Sequence, residues 1–323
     1  MNRKKILSSL IAVGLFSAVF VWQGVAPVLA KLSLAGWPLL LVCLFALPVF
    51  FGNSEAWRAL FPSGRRPPIV NALWASSMGA AVNAILPVAT IGGSFVKARV
   101  LSLWGVPPVD TISTMVVDKT VQAIVAAILG MIGVVLLAIL LPDDPRITAI
   151  ALATLALVFG IFGFVIFQLC GGFSIIARIA NKAAKSDRFK EFITKAPDLD
   201  VAIRLIYKKY GTLLLSCLIR LVIRLSLVGE LMFAAYLVGQ PIGIIEASAI
   251  KILVGSARDA AFAIPGQLGI QEATYIGLGA LFGYSADVML AISLAVRLRE
   301  ILPSIPLLFA WQYTEVRNLK SVR

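Results

Sequence analysis

Long apolar runs, broken by Pro, Gly and charge, set the rhythm of this chain. Six of them lie at 6–22, 34–52, 112–141, 147–170, 211–239 and 287–312. Each reads as a helix long enough to cross a hydrocarbon core about 30 Å thick. Two further regions, 69–104 and 242–283, are apolar but interrupted, and only 171–210 stays polar over a long distance. The pattern predicts an all-α, polytopic membrane protein with about six full spans. A soluble enzyme, a secreted disulfide scaffold and a disordered tail are excluded.

Composition agrees, and charge adds orientation. Of 323 residues 60% are hydrophobic and only 14% charged, yet the net charge is +13. The 171–210 stretch holds Arg178, Lys182, Lys185, Arg188, Lys190, Lys195, Arg204, Lys208 and Lys209 against Asp187, Glu191, Asp198 and Asp200. Basic loops stay on the cytoplasmic side, which places this stretch, Arg58 to Arg66 and the tail with Arg317, Lys320 and Arg323 inside. Arg3-Lys4-Lys5 before the first run likewise places the N-terminus in the cytoplasm. That run, followed by Val28-Leu29-Ala30, has two readings: a cleaved signal peptide, or the favoured uncleaved anchor that serves as the first span.

Parity then constrains the interrupted regions. A single crossing at 69–104 would leave the basic stretch outside, so this region must enter and return, as a re-entrant hairpin or as two crossings. The same argument applies to 242–283, which opens from the opposite side. Two inverted halves result, 1–170 and 211–323, joined by the cytoplasmic 171–210 within one integral membrane domain.

The halves also echo each other in sequence. Pro87 precedes Gly92-Gly93 and Gly105; Pro265 precedes Gly266, Gly269 and Gly283; each Pro stands 18 residues before the last Gly. At the same offset Lys119 falls opposite Arg297. Inverted repeats with broken helices are a recurrent transporter design with the substrate site near the midplane. Non-helical backbone at that depth persists only where protein or water covers it.

Charges within apolar runs are costly unless paired or facing a cavity. Lys97, Arg99, Asp118, Lys119, Arg220, Arg224, Glu230, Lys251, Arg258, Asp259, Gln267, Gln271, Glu272, Arg297 and Glu300 are therefore the informative residues. Ser293, Arg297, Glu300 and Ser304 form one polar stripe at helical spacing, and Arg258-Asp259 and Arg297/Glu300 offer internal pairing. Each also has a plainer reading: Arg220 snorkelling to the interface, Lys97 and Arg99 at a hairpin mouth, Asp118-Lys119 flanking a tilted helix, or ion pairs that only neutralise each other. The chain has no histidine, which removes His-based triads and metal sites. Cys43, Cys170 and Cys217 show no metal-ligand spacing and read as small apolar residues. No P-loop is present, so direct ATP hydrolysis is not expected, and no cofactor is expected.

Asn83-Ala-Ile-Leu-Pro87-x4-Gly92-Gly93-Ser94-x2-Lys97-Ala98-Arg99, with Asp118-Lys119 in the next helix, resembles the flippase-like, lysylphosphatidylglycerol-synthase transmembrane family. So does Pro265-Gly266-x-Leu268-Gly269-Ile270-Gln271-Glu272 followed by Ser293-Leu-Ala-x-Arg297. Ala257 to Phe262 and the Arg297-x-Arg299-Glu300 ending resemble its hopanoid-biosynthesis-associated branch. Gln267 departs from the pattern, standing where the family commonly has a second Gly. The resemblance implies a bacterial inner-membrane lipid handler. With only Val316 to Arg323 after the last span, no counterpart of the synthases' aminoacyl-transferring domain is expected.

The resulting expectation is a non-enzymatic lipid transporter or flippase for an amphipathic lipid of hopanoid, phospholipid or polyprenyl type. Lys97, Arg258 and Arg297 would contact the headgroup; Asp118, Asp259, Glu272 and Glu300 would balance charge or carry a coupling proton. Pro87, Gly92, Gly93, Pro265, Gly266 and Gly269 would form the broken elements. The expected partners are membrane lipids, with anionic headgroups at the basic stretch and no nucleic acid. Alternatives are a membrane-embedded lipid-linked glycosyl or head-group transferase, or a scaffold for lipid biosynthesis.

Overall fold

The computed structural model describes residues 33, 35–85, 91–181, 187–261, 267 and 269–321. The first expected span at 6–22 with its basic leader, and Pro87, Pro265 and Gly266, lie outside them. Every described element is helical. Four are long and apolar enough to cross a membrane. The first runs Trp37–Arg58, a 3-10 stretch Trp37–Phe45 continuing into α1 (Ala46–Arg58). The others are α4 (Pro108–Leu140), α5 (Arg146–Leu169) and α8 (Tyr210–Leu237). In α5 only Thr154 and Gln168 are buried while Phe159 and Phe162 lie more than 60% exposed. An apolar helix exposed on nearly every side suits lipid rather than water.

The interrupted regions are helical hairpins: α2 (Ile69–Ile85) with α3 (Ile91–Leu103), and α9 (Ile244–Ala260) with α10 (Ile270–Leu281). At 17, 13, 17 and 12 residues each is shorter than the roughly 20 residues a span needs. The first hairpin closes by backbone contact, since a Cβ on Gly93 would lie 2.1 Å from the carbonyl oxygen of Gly79. Asn83 Oδ1 accepts the Gly93 N–H at 2.7 Å and ties the helices together.

The expected last span at 287–312 is not one helix. It divides into α11 (Ala286–Ile301) and α12 (Ser304–Ser321). Pro303 at the break lacks an N–H, and its ring excludes the carbonyl four residues earlier. The polar stretch 171–210 is not an open loop either, but forms α6 (Gly172–Asn181) and α7 (Asp187–Tyr207). Asp200, buried, caps the start of α6 by accepting the Ser174 N–H at 2.9 Å and the Ser174 hydroxyl. Gln168 fastens the end of α5, donating to Thr120 Oγ1 at 2.8 Å and accepting from the Tyr207 hydroxyl at 2.9 Å.

The echo between the halves extends to the backbone. Gly105 and Gly283, 178 positions apart, both have φ of 78°. The Val106 N–H bonds Leu101 O at 3.1 Å, and the Tyr284 N–H bonds Gly279 O at 3.0 Å. The next helix starts at Pro108 in one half and Ala286 in the other, again 178 apart. Equivalent helices α1 and α8 run antiparallel: Phe45 stacks near Phe233, whereas Gly52 and Asn53 meet Ile223 and Arg220. Helices α4 and α9 also pack antiparallel, Gly130 against Ser256 and Gly133 against Leu253.

Candidate functional site

Both halves line two adjoining cavities of about 330 and 220 Å³, which share Asn83, Lys119, Gln122 and Arg224 in their walls. The larger is bounded on the second-half side by Lys251, Arg258, Asp259, Gln267, Tyr275, Arg299, Glu300 and Ser304. The smaller faces the first hairpin through Ser76, Ser94 and Lys97. Apolar side chains of α1 and α8, Val49, Phe50 and Leu227, close part of both.

The wall chemistry depends on how local structure aims each side chain. The α11–α12 break leaves Glu300 at a helix end beside the larger cavity, and Ser304 Oγ donates to Glu300 O at 2.5 Å across it. Arg258 grips Glu300 with two hydrogen bonds of 2.6 and 3.0 Å and reaches Gln267 Oε1 at 2.7 Å. That last contact bears on the departure from the family pattern. Gln267 adopts φ of 51°, a left-handed conformation that favours glycine, and its amide gains the guanidinium partner that glycine would not have.

Further pairs cross between helices. Arg224 Nη2 lies 2.5 Å from Asp259, and Lys251 Nζ 2.8 Å from Glu230. Arg299 shares Glu230 by a second ion pair. Beneath the cavity floor the buried Asp118 pairs with Arg220 and accepts from Gln122 at 2.8 Å, while Arg220 also donates to Asn53 at 2.7 Å. The internal pairings expected within Arg258-Asp259 and within Arg297/Glu300 therefore do not form. Asp259 is drawn to Arg224, and Glu300 is drawn to Arg258 and also meets its neighbour Arg299 at 3.3 Å.

Placement divides the expected site residues. Lys97, Arg258, Asp259 and Glu300 line the cavities, and Asp118 lies just behind the wall. Arg297 and Glu272 line neither. They are buried to 5% and 0% exposure, 2.7 Å apart, and Glu272 also accepts the Gly269 N–H at 2.9 Å. Gly269, at φ of 81°, turns the chain into α10, so the pair clamps that turn to α11. Gly92 and Gly93 form the start of α3, with Gly93 in the close hairpin contact.

Lys97 and Lys119 stand apart from the paired groups. Lys97 Nζ sits 4.9 Å over the Trp57 ring, a cation–π contact. Lys119 Nζ reaches only the neutral Gln122 amide, at 3.4 Å. Neither has a carboxylate ion-pair partner among the described residues. Counting the wall and the pairs behind it, Lys97, Lys119, Arg220, Arg224, Lys251, Arg258 and Arg299 face only Asp118, Glu230, Asp259 and Glu300. The volume between these walls carries excess positive charge.

Several residues that shape it were not singled out as site residues by sequence. Arg299 was hidden beside the motif residue Arg297, although both lie on one short helix and only Arg299 reaches the cavity. Tyr275 and Gln122 carry no charge, and Asn53 lies in an apolar run; the 178-residue offset, which matches Gln122 with Glu300 and Lys97 with Tyr275, was the signal that could have drawn attention to two of them.

Neither a curated protein nor a solved structure matches the chain. The sequence profile of the lysylphosphatidylglycerol synthase TM region matches residues 6–306, nearly its whole length. With its long apolar helices, the chain is a multi-pass membrane protein that belongs to the lysylphosphatidylglycerol synthase transmembrane-region family.

Proposed function

We propose that this protein moves an amphipathic lipid between the leaflets of the bacterial inner membrane, with its headgroup passing through the paired cavities and its tails staying in the bilayer. The supporting observation is a charge-lined cavity enclosed by both antiparallel halves among helices apolar enough to span a membrane. A charged chamber between membrane-spanning helices has to be covered by protein or water, and a headgroup is the part of a lipid that needs one. In this reading the chain crosses six times, at 6–22, through Trp37–Arg58, α4, α5 and α8, and once in two pieces through α11 and α12, and the hairpins α2–α3 and α9–α10 are re-entrant from opposite faces. Both termini and the basic α6–α7 segment are cytoplasmic, where that segment meets anionic headgroups. The protein acts without catalysing a reaction, and a hopanoid-related, phospholipid or polyprenyl-type lipid is its cargo.

The ion pairs Arg258–Glu300 and Arg224–Asp259 join hairpin α9–α10 to α11 and α8 across the chamber. Exchanging these contacts for contacts with a headgroup frees hairpin α9–α10 to shift within its own half, since ligands shift such an equilibrium through differential contacts. Proteoliposomes carrying fluorescent lipids, with outer-leaflet fluorescence quenched chemically, test the proposal. Wild-type protein should accelerate exchange over protein-free vesicles, and Arg258→Gln and Arg224→Gln should each slow it about tenfold, the loss of one charged contact. No acceleration by the wild type for any headgroup class tried would overturn the transport reading.

A further inference from the structure

We infer that the first-half side of the chamber binds the phosphate of a phosphomonoester lipid headgroup, held between Lys97 and Lys119; this rests on the reading of the chamber as a headgroup site. The argument comes from the offset that relates the halves. At 178 residues, Ser94 corresponds to Glu272 and Lys119 to Arg297. In the second half those positions form a buried ion pair, 2.7 Å apart. In the first half the cation is kept and the carboxylate is replaced by a serine. Lys119 and Ser94 both line the smaller cavity, so the place where an internal carboxylate would sit is open to a ligand.

A second cation joins it. Lys97 lines the same cavity, and its partner is the face of Trp57, which stabilises the ammonium without neutralising it. Its stem is held in place by the hairpin, with Lys97 Cγ 2.8 Å from where a Gly79 Cβ would stand. Lys97 is half-buried and Lys119 opens onto the cavity, so an anion entering it meets two ammonium groups with no ion pair among the described residues. A phosphomonoester carries about −1.5 to −2 charges at neutral pH, whereas a phosphodiester carries one. The monoester therefore matches the pair of lysines, with Ser76, Ser94 and Asn83 in the same wall to hydrogen-bond its oxygens.

Free phosphate has the same chemistry. A neighbouring apolar surface favours the lipid source: a shallow, open depression formed by Leu41, Leu44 and Phe45 of the 3-10 stretch, Pro48 of α1 and Phe233 of α8 lies on the helices that also supply Val49, Phe50 and Leu227 to the cavity wall. An acyl or prenyl chain fits such a surface, and inorganic phosphate gains nothing from it.

Binding to the full chain in detergent, followed by native mass spectrometry, tests this without requiring transport. The probes are phosphatidic acid, phosphatidylglycerol and inorganic phosphate. Phosphatidic acid should bind at least tenfold tighter than phosphatidylglycerol, and Lys97→Gln and Lys119→Gln should each weaken it about tenfold, with Lys119→Arg retaining most of the affinity. Ser94→Glu should rebuild the internal pair, raising the thermal midpoint of the lipid-free protein while abolishing phosphatidic acid binding; this variant guards against loss of binding through misfolding. Equal affinity for both lipids, or full affinity in both glutamine variants, overturns the site. Inorganic phosphate displacing phosphatidic acid at equal concentration overturns the lipid as its source. Lysine-dependent binding without leaflet exchange would sink the transport reading alone, and exchange of other lipids without phosphatidic acid binding would sink this inference alone.

Discussion

The two halves share a backbone plan but use it differently. In the second half, Glu272 and Arg297 neutralise each other and clamp the Gly269 turn to α11. In the first half, the corresponding Ser94 and Lys119 leave a charge facing a cavity. The hairpins differ in the same sense. Gly93 allows α2 and α3 into backbone contact, whereas its counterpart Gln271 keeps a side chain and spends it on Ser293, donating to its carbonyl and hydroxyl oxygens at 3.0 Å. One half is locked by its own side chains, and the other leaves the equivalent cation on a cavity wall. A symmetry of fold thus does not require a symmetry of chemistry.

The largest effect should come from making the locked half resemble the open one. Glu272→Ser leaves the buried Arg297 without its carboxylate and the Gly269 N–H without its acceptor. Breaking a buried pair from one side costs about 3–5 kcal/mol, to be measured by denaturant unfolding in detergent micelles. A loss below about 1 kcal/mol, the range of exposed pairs, would mean that the clamp is not the difference between the halves.

Gly93→Ala probes the close hairpin of the open half. Its Cβ would meet backbone, which cannot swing aside, so overpacking should cost about 1–3 kcal/mol. The variant should also lose affinity for the chamber's ligand, because α3 carries Ser94 and Lys97. Retained stability with retained binding would show that the hairpin does not set the lysine's position.

Smaller effects are expected at Gln267. Gln267→Gly relieves a left-handed conformation that costs about 1–2 kcal/mol and removes a hydrogen bond from Arg258 worth about as much. Stability should change by less than about 1 kcal/mol, the difference of these two. Gln267→Ala keeps the strain without the bond and should be the less stable of the two variants, a ranking readable from thermal midpoints. The reverse order would mean that Arg258 gains nothing from Gln267.

The smallest effect belongs to an ion pair in water, a baseline for the buried clamp. Arg146 in the α4–α5 turn reaches Asp144 at 2.5 Å and, by hydrogen bonding, lowers its carboxyl from 3.8 to about 2. A depressed carboxylate contributes stability above its unfolded pKa and loses it as pH falls through the folded one. Any difference between wild type and Asp144→Asn should thus shrink between about pH 4 and pH 2, as the unfolded and folded forms titrate in turn. Stability scans of both proteins across that range check it; a difference that grows on acidification would reverse the sign.

Much of this architecture was legible without coordinates. Apolar runs gave the long helices because length and hydropathy are local properties, and Pro and Gly marked both hairpins for the same reason. The matching positions of Gly105 and Gly283 announced a repeat that the two equal φ angles then express in space. Pro303 announced the broken last span too, but its apolar surroundings outweighed it in a reading based on hydropathy. Within the site, the charges stood out against their runs, yet their partners did not. Arg258 with Glu300, Arg224 with Asp259 and Asp118 with Arg220 join residues 42, 35 and 102 positions apart.

The sequence by itself determined that this chain belongs in a membrane, where most of its long apolar helices lie, and that it contains a repeat. Those follow from side-chain transfer energies and backbone propensities acting over a few turns. Only the tertiary structure decided which charges cancel and which remain. That outcome depends on which helices meet and on which face each cation presents: Arg297 turns toward a carboxylate on α10, and Lys119, at the equivalent position, lines a cavity whose wall also carries Ser94.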